Sequence, residues 1–276
     1  MALNYIGKSK SPYKYYLLDS HYKSDSLDKG RKFKPFFDEL CQHIFDINLT
    51  MLEGANEFPL VYSERKSYSS IAAAINAITP YHISEYTRNC DGCGILDESG
   101  NERKTRAVDF WCRSKDKDFN VWIETKASRF YVSKKAKNQI DKNTKELIQE
   151  AFKQILELNK IDKGYKYQSH KLILLNIKVI CNAKDFDELY SSGELDKIPQ
   201  IFADGLNKEY GNVDGRTTKN LSKGLLLGVL DLREQIQKDI NKDIIHIVDY
   251  NNGFEVCDFV APYIILAGLV ITNPRD

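Results

Sequence analysis

Two apolar stretches of this chain carry charged residues where a buried strand has no ordinary use for them. "TRAVDFWCR" holds Asp109 at its middle, and "FNVWIETKA" holds Glu124 and Lys126. Residues two apart on a strand share a face, so Trp122, Glu124, Lys126 and Ser128 point one way and Val121, Ile123, Thr125 and Ala127 the other. A tight turn at Asp116 and Lys117 sets Lys115 opposite Asp118 and Asp109 directly opposite Glu124, with β-carbons roughly 4.5–5.5 Å apart. Like charges so placed repel, and a hard, oxygen-seeking ion such as Mg²⁺ relieves the repulsion. Two carboxylates, a divalent ion and an adjacent ammonium suit phosphodiester hydrolysis. The ion neutralises phosphate and activates a water, and the lysine holds that water and steadies the added negative charge. The plainer alternative is a solvent-facing hairpin whose Asp109, Glu124 and Lys126 form ordinary cross-strand ion pairs. A longer loop or a bulge changes the register.

The elements that must position these residues can be read from periodicity. "KPFFDELCQHIFDINLTML" spaces Phe36, Phe37, Leu40, Ile44 and Ile47 as one face of a helix, and the core is expected to begin there. "SERKSYSSIAAAINAI" is a second helix, with Ser63 as its cap and Ile71, Ala74, Ile75 and Ile78 as its stripe, ended by Pro80. Three short strands follow in "HISEYTR", "TRAVDFWCR" and "FNVWIETKA", with turn residues in "CDGCGILDESGNERK". "KNTKELIQEAFKQILELNK" has Leu147, Ile148, Ala151, Phe152, Ile155 and Leu158 in a helical stripe, and "HKLILLNIKVIC" reads as a strand buried on both faces. From Ser63 the order is helix, three strands, helix, strand, hence an α/β fold with a mixed sheet flanked by helices. Beyond Ala183, "IFADGLNKEYG" is expected to be helical, "DIIHIVDY" a strand, and "KGLLLGVLDL" either.

Asp109 on one strand and "IETKA" on the next resemble the PD-(D/E)xK motif of restriction-endonuclease-like nucleases, and the element order is similar to that superfamily's core. Ala107 and Val108 stand before Asp109, so the motif's proline is missing. The resemblance covers roughly residues 60 to 182. It implies that Asp109 and Glu124 ligate Mg²⁺ or Mn²⁺, that the Thr125 carbonyl joins them, and that Lys126 positions or activates the water. It also implies an acid from the first core helix: Glu64, with Glu85 and Glu57 as rivals. Gln149 or Gln154 would support the site. The domain reading is a basic N-terminal arm over 1–34, a nuclease core over 35–182, and a C-terminal part over 183–276. That last part either completes the core or forms a specificity or dimerisation element, and a homodimer stands among the partners considered.

Composition bounds the partners. Lys plus Arg number 40 against 39 Asp plus Glu in 276 residues, so no global field marks a polyanion-binding protein and any nucleic-acid face must be local. Residues 1–34 carry eight Lys/Arg against three Asp and form one candidate face, equally readable as a solvated surface. The stretch "SRFYVSKKAKNQIDKNTK", taken as beginning where the motif strand ends, is the other. Its Arg129, Lys134, Lys135 and Lys137 would meet phosphates, and Phe130 and Tyr131 would meet bases. Scattered cysteines and the lack of an opening secretory pattern suggest a reduced, cytoplasmic protein. The longest apolar run, Val260 to Thr272, is thirteen residues, shorter than the ~20 a membrane helix needs, and is read as buried core. Cys90 and Cys93 have zinc-like spacing without a second pair. The combined expectation is a metal-dependent nuclease acting on DNA in restriction, phage defence or repair. A nuclease-fold binding or assembly subunit that no longer cleaves is the alternative.

Overall fold

The computed structural model describes residues 4–6, 13–27, 29–89, 96–102, 104–134, 138–161, 168–212, 222–238, 246–251 and 254–272. In chain order these form β1 (Asn4–Ile6), β2 (Tyr13–Leu18), α1 (Gly30–Ala55), α2 (Glu64–Ile78), β3 (His82–Asn89), β4 (Thr105–Arg113) and β5 (Phe119–Val132). There follow α3 (Lys142–Ile161), β6 (Gln168–Asn182), α4 (Ala183–Ser191), α5 (Ile198–Asn212), β7 (Ser222–Asp231), α6 (Arg233–Gln237), β8 (His246–Asn251) and β9 (Phe254–Thr272). The described strands make one nine-stranded sheet in the order β1-β2-β7-β9-β6-β5-β4-β3, with β8 on β9. Only β5 and β6 run parallel, and α3 makes the crossover between them that a parallel pair requires. The protein is thus α/β with a mixed sheet flanked by helices, and the helix, three strands, helix, strand order from Glu64 is present. Among the described residues no helix is long and apolar enough to cross a membrane.

Helices cover both faces of the sheet. One core packs α1 and α2 against Phe110, Val121, Ile123, Leu174 and Leu266. The other packs α3, α4 and α5 against Trp122, Ile173, Ile177 and Ile265. Between them, His170 through Cys181 of β6 are all buried, as a nearly continuous apolar run rich in branched residues leads one to expect. "KGLLLGVLDL" proves to be strand β7. The apolar C-terminal run becomes β9, which lies between β6 and β7 and so completes the core.

The loose N-terminal arm expected over 1–34 needs correction. β2 pairs with β7, α1 starts at Gly30, and Tyr13, Tyr15, Leu18, Leu27 and Phe33 are buried. The stretch looked polar because its core residues are tyrosines, whose rings bury while the hydroxyl finds a partner. The Tyr15 hydroxyl, for instance, donates to Asp38 at 2.5 Å. Four of its basic residues are engaged too: Lys14 pairs with Glu234, Arg31 with Asp25, Lys32 with Asp118 and Lys34 with Asp19. Lys8 and Lys10 lie outside the described residues.

Two features set the approach to the site. Helix α1 lies close on the sheet because Gly228 of β7 and Gly268 of β9 leave room. A β-carbon at Gly228 would sit 2.7 Å from the Cys41 Sγ, and one at Gly268 would enter the Phe37 ring. The segment that delivers α2 is pinned from beneath. Asn48 of α1 accepts from the Leu60 N–H at 3.2 Å, Asn176 of β6 donates to the Leu60 carbonyl at 2.9 Å, and the Lys178 ammonium donates to the Tyr62 carbonyl at 2.8 Å. Gly268→Ala is therefore expected to lower stability by about 1–3 kcal/mol, the usual cost of overpacking. Urea unfolding measures it, and an unchanged midpoint would show that α1 is not seated on that glycine.

Candidate active site

The site grows out of a fork in the β4–β5 hairpin. The two strands pair from Arg113 opposite Asn120 to Phe110 opposite Ile123, the register expected from sequence. The turn differs. Instead of a two-residue connection at Asp116 and Lys117, the hairpin closes at Ser114 and Phe119 around four loop residues. Lys117 adopts a left-handed φ of 58°, and the Ser114 hydroxyl accepts from the Asp118 N–H at 2.9 Å. Asp-Lys suits neither of the two-residue hairpin turns, whereas a four-residue loop keeps the register and accepts it.

At Asp109 the ladder stops. Asp109 does not pair across to Glu124. Its Oδ2 accepts from both the backbone N–H and the hydroxyl of Thr125, each at 2.7 Å. The outer partner also skips this point, since β3 and β4 pair through Ser84 and Phe110 and again through Tyr86 and Val108. Glu85, between them, has a φ of 50°, unusual for a residue with a β-carbon. Alternation breaks accordingly: Val108 belongs to the α3-side core, while Phe110, two residues on, belongs to the other. β5 continues past the fork, paired in parallel with β6 as far as Val132.

The carboxylates gather at this fork. Glu124 is 4% exposed. Its Oε1 accepts from the Lys126 ammonium at 3.2 Å, and its Oε2 lies 4.0 Å from the Arg106 guanidinium. Burial, and next the charge of Asp109, push the Glu124 carboxyl up to about 7, against the pull of Lys126 and Arg106. Burial works against the charge on Lys126, yet Glu124, Glu64 and Asp109 together raise its pKa above the ordinary lysine value, so it is an ammonium at neutral pH. Glu64, first residue of α2, accepts from the Tyr68 hydroxyl at 3.3 Å, and the Ala127 backbone N–H favours its charge. Burial raises its pKa, Lys126 opposes this, and Asp109 adds to it. The N–H of Thr125, on the edge of β5 that β4 has vacated, is thus capped by the Asp109 carboxylate.

A cleft of about 730 Å³ opens beside the fork, lined by Arg65, Tyr68, Glu85, Thr87, Arg106, Ala107, Val108, Asp109, Glu124 and Gln154. Its α3 wall is fixed to β5 through the Ser128 and Thr144 hydroxyls, 2.6 Å apart, and Asp141 caps that helix by accepting from the Thr144 N–H at 2.7 Å. Gln154 lines the cleft and its Oε1 is buried without a partner, while Gln149 is exposed. Of the rivals to Glu64, Glu85 lies on the cleft rim, and Glu57 is exposed and does not line the cleft. Ser63 stands at the N-cap of α2, but its side chain does not close the expected cap bond.

The other expected residues are placed less favourably. Thr125 is held as a donor to Asp109 through its N–H and hydroxyl. Arg129, Phe130 and Tyr131 are on β5 itself, because the strand runs on to Val132 rather than ending near Ser128. The Lys134 ammonium pairs with Asp185 at 3.4 Å and with Glu188 on α4, so its charge is met within the protein. Lys135, Lys137, Cys90 and Cys93 lie outside the described residues. Arg106, Tyr68 and Glu157 were not foreseen. Tyr68 follows Glu64 by one helical turn, a spacing that puts it on the same face. Arg106 escapes any alternation rule because the strand changes face at Asp109.

Among the described residues no three His, Cys, Asp or Glu side chains are drawn close enough to form a ready metal cage. The donor chemistry nevertheless suits a hard cation. The carboxylates of Asp109, Glu124, Glu64 and Glu157 are met by the cations of Lys126 and Arg106, and the buried Gln154 oxygen belongs to the same cleft. Comparison with protein-family models, with curated proteins and with solved structures finds no match.

The Glu124 shift has a definite sign in stability. Its pKa is raised from 4.5 to about 7, so the folded protein holds a proton that the unfolded chain releases between those values. The group's contribution is complete below pH ~4.5, falls as pH rises towards ~7, and is constant above. In EDTA, wild type minus Glu124→Gln is expected to lose on the order of 3 kcal/mol across that window. Chemical denaturation at a series of pH values reads it, and a flat difference would contradict the shift.

Proposed function

We propose that the protein is a metal-dependent nuclease that hydrolyses phosphodiester bonds in DNA, built on a restriction-endonuclease-like core of the PD-(D/E)xK type. The observation that carries this reading is the convergence at one strand fork of Asp109, Glu124 and Lys126 with Glu64 from the preceding helix, beside an open cleft. Asp109 and Glu124, with Glu64 adjoining, are the residues that would hold Mg²⁺ or Mn²⁺. When bound, such an ion supplies positive charge against the phosphate and polarises the attacking water.

The chain's own residues do the rest. Thr125 fixes Asp109 through two hydrogen bonds to a single oxygen, so the carboxylate cannot swing away. Lys126 supplies a fixed ammonium that holds water and meets the negative charge growing on the phosphoryl oxygens. In the reaction the water oxygen bonds to phosphorus while the bond to one ester oxygen breaks, and that oxygen leaves with the proton the water gives up. A second reading, a DNA-binding module that does not cut, is favoured by one observation. Lys126 and Arg106 already compensate Glu124, and Asp109 is engaged by Thr125.

Purified protein with Mg²⁺ or Mn²⁺ is expected to nick or degrade DNA, and Lys126→Ala to slow this about a hundredfold or more with the melting temperature retained. Unimpaired cutting by that variant would sink the assignment, and salt-sensitive binding without any cutting by wild type would select the second reading. Asp109→Asn keeps an acceptor for Thr125, so it tests the metal without opening the fork. Wild type should gain about 2–3 kcal/mol at a hundredfold excess of the divalent ion over its Kd, and the variant should not.

A further inference from the structure

Arg106 is a largely buried cation of the cleft wall whose hydrogen bonding is incomplete. Its side chain is 11% exposed. Only NH1 is well bonded, donating to the Ala107 carbonyl at 2.7 Å. Nε lies 3.2 Å from Glu157 and NH2 lies 4.0 Å from Glu124, yet both nitrogens are buried without a hydrogen bond of acceptable geometry. The guanidinium is attracted to two acids and aligned with neither. Buried donors left in that condition are costly, and a planar fork of N–H groups is best satisfied by two oxygens of one phosphate.

The surroundings favour that ligand. Arg65, exposed on the first turn of α2, lines the same cleft, so a second cation stands at its rim. Glu157 holds Arg106 at the wall without contributing to the lining, as a resting partner would. We infer that Arg106 is the phosphate-binding arm of the site: it rests on Glu157 and Glu124 in the free protein and turns its guanidinium to a backbone phosphate of DNA in the cleft. The inference rests on the nuclease reading above, and it assigns the nucleic-acid contact to the fork. The expected basic stretch after β5 is a poorer choice, since its Lys134 is already paired.

The test is fluorescence anisotropy of a short labelled DNA duplex in EDTA, where cutting does not interfere. Arg106→Gln is expected to weaken binding about tenfold or more and to lower the salt slope by about one. Arg106→Lys keeps the charge without the fork and should fall between. Glu157→Gln removes the resting partner and should tighten binding several-fold, an effect opposite in sign to that of a merely structural ion pair. Unchanged affinity and salt slope in Arg106→Gln, with its melting temperature retained, would overturn the inference. So would weaker binding in Glu157→Gln. Wild type that cuts DNA but shows no Arg106 dependence defeats this proposal alone. Wild type that neither binds nor cuts defeats it together with the nuclease reading.

Discussion

A backbone N–H on a strand edge must find an acceptor, and at Thr125 the neighbouring strand has already turned away. Asp109 supplies that acceptor from its side chain. The whole site hangs on this substitution of a carboxylate for a missing ladder partner. Because β4 departs at Asp109, β5 presents a free edge on one side while remaining paired with β6 on the other. Glu64 stands one step along, where the Ala127 N–H favours its charge. Asp109 is therefore fixed by the strand that carries Glu124 and Lys126.

The rigidity of that strand comes from far outside the hairpin. β5 is bonded to β6 over its full length, β6 to β9, and β9 to β7, so the site stands at the margin of a sheet whose centre is buried on both faces. The glycines of β7 and β9 let α1 settle close, and α1, through Asn48, helps hold the segment that ends in Glu64. Lys178 and Asn176 of β6 hold the same segment from the sheet. Displacing α1 would thus disturb the approach to Glu64 through the Leu60 N–H that Asn48 accepts.

How much of this was readable beforehand follows from which rules survive at each residue. Periodicity found α2 and α3, because each buries a regular stripe. Turn residues marked off β3 and β4, β6 showed as a long apolar run, and the hairpin register followed from centring the turn on Asp116 and Lys117, which the four-residue loop preserves. Asp109 and Lys126 were conspicuous because charge inside an apolar strand is expensive. Alternation then failed where the chain leaves ideal geometry. The positive φ at Glu85 and the change of face between Val108 and Phe110 brought Arg106 into the cleft and set Asp109 against Thr125. The N-terminal strand was missed for a compositional reason: tyrosine serves as a core residue there, and lysines between the rings mask the pattern. Strands β7 and β9 owe their central positions to pairing between distant segments, which no local window contains.

The fork by itself does not require so much charge. An amide oxygen in place of the Asp109 carboxylate would accept both Thr125 bonds, and an apolar residue in place of Glu124 would suit a position that is almost wholly buried. Either change would remove the repulsion that, after burial, raises the Glu124 pKa. A structure held only by its packing gains nothing from the charged version, since buried ion pairs seldom outdo apolar contacts of the same volume. Perturbed carboxylates, a raised lysine and a strained strand residue, gathered beside one open cleft, are the usual companions of chemistry. The excess of acid over base at the fork, which makes the free protein less stable as the pH rises through the Glu124 window, is the same property that suits it to a divalent cation.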